Sequence, residues 1–446
     1  MIAFTAPSLT FFIALQDRSD QWQHFVDLVT AVNELDAAQG ASQLPSFKRG
    51  EPQRVVAWLA ERGVKLSNAA VAPATGLPEG DGLVAKRNLK RGEEVLRIPR
   101  SAMLVSDHLT GTPFGKDFLM SEAPSLALTL ALIVESQNPK SSFRPYIESL
   151  PPSFSTMLYF TLADCAELSG SPALSVAMRG FFDAVRHFFV LQKIIADAKA
   201  AGAAIEPLSW SLYRWASSAV HSRQNNVPLA SGRPGRALIP LFDLANHSDS
   251  AAEVSTEYDA EAGACVCRAP KDTAAGQQFY IYYGARPQSD LLLFSGFALS
   301  EPANPSLDIF LFLNAKEGPE YPMRVELLNK RLGMPVPAEL PLREPLERST
   351  ELLRYVRVMT MFMPELKKCI ADKKFNGAAI TPMQDRRAHA FLVKRLQLLL
   401  ENYPTSVEED DKLLKQGAFP TPARQGIIRL RRAEKALLER IIADSK

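Results

Sequence analysis

The sequence predicts an α+β protein in which strands and helices occupy separate stretches of the chain. Three observations carry this. The aromatic strand Phe279-Tyr280-Ile281-Tyr282-Tyr283 stops at Gly284. Residues 79–99 read as strand, turn, strand, opened by Gly80-Asp81-Gly82. Residues 352–363, 388–403 and 427–442 repeat apolar side chains at helical spacing, a block large enough for an all-α C-terminal domain.

In chain order, residues 22–35 place Phe25, Leu28, Val29, Val32 and Leu35 on one helical face. Residues 37–50 are small, polar and interrupted by Gly and Pro, so 1–50 reads as an extension ending in a linker. A second helix starts at Pro52, presents Val55, Val56 and Leu59, and ends at Gly63. Gly80 and Gly82 admit two readings, a hairpin turn or a backbone that a ligand approaches closely. A helical insert of about 106–208 follows, with Phe181, Phe182, Val185, Phe188 and Phe189 as core and His187 as a solvated or satisfied residue. Residues 146–152 read as a loop. Ser209 caps a helix over 210–220 that runs into the polar stretch 221–228, either a site wall or a solvated loop. Residues 307–313 alternate as one more strand, and from Pro322 onward the pattern is helical. The domains expected are therefore 1–50, 51–314 and 315–446.

A chain of 446 residues has room for two or three domains. With 51 basic and 49 acidic side chains the net charge is +2, which gives no reason to expect nucleic acid or an anionic membrane as partner. No apolar stretch approaches the length of a membrane span. Residues 1–15 lack the basic start of a secretory signal and contain Pro7. Cys165, Cys265, Cys267 and Cys369 fit neither a zinc cluster nor a disulfide framework, and four free thiols suit a reducing compartment. The expectation is a cytoplasmic protein, with the nucleus left open, and no bound metal.

The candidate site lies within residues 237–297. An apolar run, Ala237-Leu238-Ile239-Pro240-Leu241-Phe242, gives way to Asp243-Leu244-Ala245-Asn246-His247-Ser248. Polar groups beside buried chain must find partners or serve a ligand. His247 has three readings: metal ligand, general base, or a residue that holds the Asn246 loop and touches a cofactor. The six histidines are scattered and none is paired at ligand spacing, so the last reading fits best.

The motif order then becomes specific: Gly80-x-Gly82, a helical insert, Arg223-Gln224-Asn225, Ile239 to His247, Tyr280-Ile281-Tyr282-Tyr283-Gly284-x-Arg286, Ser295-Gly296-Phe297 and a helical tail. From about residue 51 to the C-terminus this resembles the SET-domain protein methyltransferases of the Rubisco large-subunit methyltransferase class. Within that class it is most similar to the branch that methylates a histidine of actin. The resemblance implies short curved β-sheets with a helical insert, then a helical substrate-binding domain. It also implies S-adenosyl-L-methionine as cofactor and a protein substrate, actin, for a monomeric enzyme. Tyr283 would be the channel tyrosine and, with Asn225, a catalytic residue. Cofactor contacts would come from Pro113, Phe114, Gly115, Arg223, Asp243, Leu244, Ala245, Asn246, His247, Tyr283, Ser295, Gly296 and Phe297. Substrate contacts would come from Asn225, Ile239, Phe242, Asp243 and Arg286. Phe242 stands where the histidine-directed branch has Trp. Two other functions follow the same residues less closely: a lysine-directed methyltransferase, and a catalytically silent SET-like binding module.

Overall fold

The computed structural model describes residues 18–39, 53–64, 70–116, 119, 122–249, 256–316 and 318–445. The readings of 1–15, of linker residues 40–50 and of Pro52 lie outside them, whereas residues 37–39 of the expected linker end a helix. The chain divides into two compact units, one of residues 1–159, 178–286 and 294–296, the other of 160–177, 287–293 and 297–446.

The first unit is built on ten short strands: β1 Val71–Leu77, β2 Gly80–Ala85, β3 Glu94–Pro99, β4 Leu104–Val105, β5 Asn225–Pro228, β6 Pro234–Leu238, β7 Asn246–His247, β8 Thr256–Asp259, β9 Ala264–Arg268 and β10 Gln278–Ile281. They form three sheets in the orders β1-β2-β10-β7, β3-β9-β8 and β4-β6-β5. The expected strands around the Gly80-x-Gly82 motif are both present, but they do not pair with each other. β2 forms its hairpin with β1, closing at Leu77 and Gly80, where Gly80 takes φ +97°. β3 instead pairs with β9. The segment between β2 and β3 is tied elsewhere, through the backbone bridge of Leu89 to Thr273. Cys265 and Cys267 lie on β9, and all four cysteines are free and buried.

Seven helices are named through the first half of the chain: α1 Arg18–Gln39, α2 Gln53–Glu61, α3 Pro124–Gln137, α4 Arg144–Ile147, α5 Leu162–Glu167, α6 Pro172–Ala200 and α7 Trp210–Arg223. Phe25 and Val32 of α1 are buried, with Phe25 edge-on to Phe181 at 5.5 Å. The Ser211 amide donates to Asp36 at 2.9 Å, so part of the expected N-terminal extension is docked in this unit. The Ser209 hydroxyl accepts from the Leu212 amide at 3.2 Å and caps α7, as the sequence predicts. The helix runs one turn beyond Val220 and delivers Arg223 at its end. Two expectations change here. Tyr146 belongs to α4, not to a loop. Phe181 and Phe188 are core, whereas Phe189 falls on the outer face of α6 and is exposed.

The second unit carries α5 and the helices α8 Glu320–Val325, α9 Thr350–Met359, α10 Met363–Ala371, α11 Pro382–Glu401, α12 Val407–Gln416 and α13 Pro422–Asp444. It also carries a hairpin. β11 Ser306–Leu311 pairs antiparallel with β12 Ala338–Arg343 through six residues, from Ser306 opposite Arg343 to Leu311 opposite Ala338. The sequence marked β11 as a strand and read everything beyond Pro322 as helix. β12 escaped because Pro341 interrupts it, although Ala338, Leu340 and Leu342 alternate inward.

Buried charge holds the last two helices together. Asp410 of α12 is 0% exposed and lies 2.7 Å from Arg431 and 2.8 Å from Lys435, both buried on α13. Glu167 of α5 completes the cluster through Arg424 and Arg431. Removing Asp410 leaves Lys435 buried without its carboxylate and Arg431 with Glu167 alone. Asp410→Ala is therefore expected to destabilise the second unit by about 3–5 kcal/mol. Urea denaturation followed by helical circular dichroism measures this, and a change under about 1 kcal/mol would show the cluster to be replaceable.

Candidate functional site

The site forms where β7 pairs with β10. The pairing is parallel, with Asn246 opposite Tyr280 and His247 opposite Ile281, and the Ser248 amide extends it to the Ile281 carbonyl at 3.1 Å. Parallel pairs need a long crossover between them. Here the crossover contains β8 and β9, so two residues of each segment meet across the intervening chain.

The approach to β7 is strained. Leu241 has φ +70°, the one positive φ outside glycine among the described residues. For a bulky residue this costs about 1–3 kcal/mol, and it persists only where the surroundings over-determine it. Leu241 is buried, and the one-turn helix at Phe242–Leu244 that follows it turns the Asp243 backbone toward the end of α7. There the Arg223 guanidinium donates through Nη1 to the Asp243 carbonyl at 2.7 Å, with the carboxylate Oδ2 at 3.7 Å. Tyr146 donates its hydroxyl to that same Oδ2 at 2.6 Å. Burial pushes the Asp243 carboxyl up from its ordinary value, and Arg223 and Tyr146 oppose this.

Tyr283 follows β10. Its hydroxyl donates to the Ala245 carbonyl at 2.9 Å. Burial pushes the phenol up to about 12, so it stays neutral and its oxygen keeps lone pairs facing away from Ala245. Its amide donates to Nδ1 of His247 at 3.2 Å, while Nε2 of His247 pairs with Asp249 at 3.0 Å. An Nδ1 that accepts places the imidazole proton on Nε2, which then donates to Asp249. Both nitrogens are spent, which removes the general-base reading of His247 and leaves it as the tie between two segments. No group of three or more metal-ligating side chains occurs among the described residues.

The hairpin reading of the glycine motif holds, and at Gly82 the close approach comes from a neighbouring side chain. Gly80 is the hairpin turn. At Gly82 a side chain would meet Asn246 Nδ2 at 2.8 Å and Gln278 Nε2 at 3.2 Å, so the missing side chain admits Asn246. Asn246 uses that room to donate to the Asp81 carbonyl at 3.0 Å.

The remaining expected residues divide. Asn225 opens β5, and its side chain donates to the Arg223 carbonyl at 3.1 Å. Ser295 closes a π-helical turn, Leu291–Ser295, and Gly296 follows at φ +84° against the Ser155 backbone. Such turns interrupt ordinary helices at functional positions. Leu244 and Ala245 are buried in the same segment as Asp243. Arg286 is exposed. Phe297 belongs to the second unit, its amide on the Leu291 carbonyl. Pro113, Phe114 and Gly115 form a turn of their own, closed by the Gly115 amide on Thr112. Ile239 at 0% and Phe242 at 2% exposure, both expected among the substrate contacts, are packed as core. Tyr146 and Gln278 escaped sequence reasoning altogether. Neither sits in a motif, and only the fold brings them to Asp243 and Gly82.

Two buried donors in this segment set, Arg223 Nε and Ser295 Oγ, have no hydrogen-bond partner, and Gln278 Nε2 is a third. Buried polar atoms left this way suit a polar ligand.

Comparison with known proteins decides the family. Actin-histidine N-methyltransferases of Papio anubis and Homo sapiens are each 30% identical to this chain over 443 residues, covering 95% of it and 73% of the relative. The Danio rerio relative matches at 30% over 448 residues. The chain belongs to the actin-histidine N-methyltransferase family. Residues 315–438 match the family model for the Rubisco LSMT substrate-binding domain. A solved structure of the SET domain of LSMT bound to lysine and AdoHcy aligns with a TM-score of 0.74 at 21% identity, over 90% of this chain and 92% of that one. One of Rubisco LSMT bound to AdoMet aligns at 0.71 with 20% identity, over 88% and 91%. The fold is thus the SET fold with a C-terminal substrate-binding domain, as the motif order implied. Among the described residues no helix is long and apolar enough to cross a membrane.

The pairing of His247 makes a titration prediction. Burial holds its imidazole below the ordinary value and Asp249 opposes that shift. Asp249→Asn is therefore expected to lower the His247 midpoint further, read by NMR of the ring protons. A rise in that midpoint would contradict the assigned pairing.

Proposed function

We infer that the protein is an S-adenosylmethionine-dependent protein-histidine N-methyltransferase whose acceptor is a histidine of actin. The observation that carries this reading is the Tyr283 phenol, neutral and turned inward onto the Ala245 carbonyl, taken together with the unpartnered buried donors Arg223 Nε and Ser295 Oγ. The relatives' names supply the acceptor.

S-adenosylmethionine, when bound, supplies a methyl group on a sulfonium. Arg223, Asp243, Asn246 and Ser295 carry the polar groups that suit it. In-line transfer to nitrogen asks mainly for alignment. Tyr283 serves that need: with its proton committed to Ala245, its oxygen offers lone pairs to a methyl hydrogen or a neighbouring cation. Asn225 sits at the start of an edge strand with its amide fixed by the Arg223 carbonyl, which suits a partner for a flat ring. An imidazole acceptor is mostly neutral near pH 7, so no strong base is needed before attack. The nitrogen–carbon bond would form as the sulfur–methyl bond breaks to a neutral thioether, and the resulting imidazolium would lose its N–H proton to water. We assign the helical region of residues 315–438 to docking of the substrate protein, and the four free thiols suit a cytoplasmic setting.

Incubation with methyl-labelled S-adenosylmethionine and unmethylated actin, followed by peptide mass spectrometry, tests the proposal. Label on an actin histidine is expected. Label confined to lysine, or none on actin, would overturn it. Tyr283→Phe is expected to cut the transfer rate roughly a hundredfold through lost alignment. Its cofactor affinity should stay within about threefold by calorimetry, since the ring remains. Asn225→Phe is expected to lower kcat/KM for a histidine peptide and raise it for the lysine analogue. Unchanged turnover on histidine would remove Asn225 from the acceptor side.

A further inference from the structure

We propose that Tyr146 is a positioning residue of the transfer site, acting through Asp243 to hold the Arg223 guanidinium where its free Nε faces the cofactor. The inference rests on the cofactor reading above. Tyr146 is 1% exposed and lies on α4, a four-residue helix nearly a hundred positions upstream of Asp243 by number. Its hydroxyl has the shorter of the two contacts on the Asp243 carboxyl: 2.6 Å, against 3.7 Å for Arg223 Nη1. Arg223 is fixed more closely by the Asp243 carbonyl, at 2.7 Å. One residue thus anchors the guanidinium with its backbone and balances its charge with its side chain. The balance depends on the carboxyl being ionised.

The carboxyl side chain is 2% exposed, so water does little to keep it charged. The groups facing it are Arg223 from α7, Tyr146 from α4 and the Tyr283 phenol beyond β10. Of these, Arg223 and Tyr146 favour the anion. Burial alone would drive the group to its neutral form. Loss of the Tyr146 hydroxyl therefore raises the Asp243 midpoint further. On the acidic side Asp243 then takes up a proton, and Arg223 stands as an unbalanced cation at a site that receives a sulfonium. On the alkaline side the carboxylate re-forms and the arrangement recovers. A Tyr146 that merely packed the core would give a loss independent of pH.

The test is calorimetric titration of S-adenosylmethionine into the full-length protein, with thermal unfolding as a check of the fold. Tyr146→Phe keeps the ring and its packing. It is expected to weaken binding by more near pH 6 than near pH 9, because the neutral carboxyl is favoured on the acidic side. Asp243→Asn alone is expected to abolish the pH dependence over the same range. Adding Tyr146→Phe to Asp243→Asn is expected to cause no further loss, because the two act together. An equal loss at both pH values, no loss, or the full loss repeated in the Asp243→Asn background would each overturn the proposal. A wild-type protein that binds no S-adenosylmethionine overturns it together with the cofactor reading. One that binds the cofactor but leaves actin unmethylated removes the acceptor alone, and the titration still decides the role of Tyr146.

Discussion

A two-residue parallel pairing underlies the whole site. Asn246 and His247 lie beside Tyr280 and Ile281, and a one-residue slip would turn each of their side chains to the opposite face. Two backbone pairs cannot hold such a register alone. The His247 imidazole reinforces it by taking the Tyr283 amide on one nitrogen and offering the other to Asp249. The Tyr283 hydroxyl closes the arrangement back onto the Ala245 carbonyl, one residue before β7. The two segments thus hold each other through side chains as much as through backbone. The strained Leu241 conformation, just upstream, fits a segment whose path is fixed from both ends.

Burial gives the titratable groups here different tasks. The Tyr283 phenol is pushed up to about 12, which keeps it a neutral donor with oxygen lone pairs to spare. The Asp243 carboxyl is pushed in the same chemical direction, toward neutrality, but has a guanidinium and a phenol to oppose it. His221, half-buried at the end of α7, is pushed down to about 4, first by burial, with His187 and Arg286 adding to it. It is therefore a neutral ring beside Phe294, at 5.8 Å between centroids. In the second unit the same cost of burial is met by pairing, with Asp410 shared between Arg431 and Lys435.

What the sequence made legible follows from how local each signal is. The Ser209 cap and the helix behind it were readable because the cap and its recipient lie three residues apart. The change from an apolar run to Asp243, Asn246 and His247 was readable because burial and polarity conflict within a dozen residues. Tyr146 was not, because nothing near it distinguishes a tyrosine that meets Asp243 from one that opens a loop. The burial of Phe242 was not legible for a related reason: its place in a motif says nothing of how deeply it packs. β12 was missed because Pro341 hides an alternation that only its pairing with β11 reveals.

The central claim is that the β7–β10 register builds the cofactor site, with Asn246 reaching across it to the Asp81 carbonyl above Gly82. The most direct measurement is the S-adenosylmethionine dissociation constant of Asn246→Ala beside that of the wild type, both shown to be folded. The account predicts a loss of at least roughly tenfold, the scale of one buried polar contact to a charged ligand. An Asn246→Ala protein that binds S-adenosylmethionine as tightly as the wild type would contradict it.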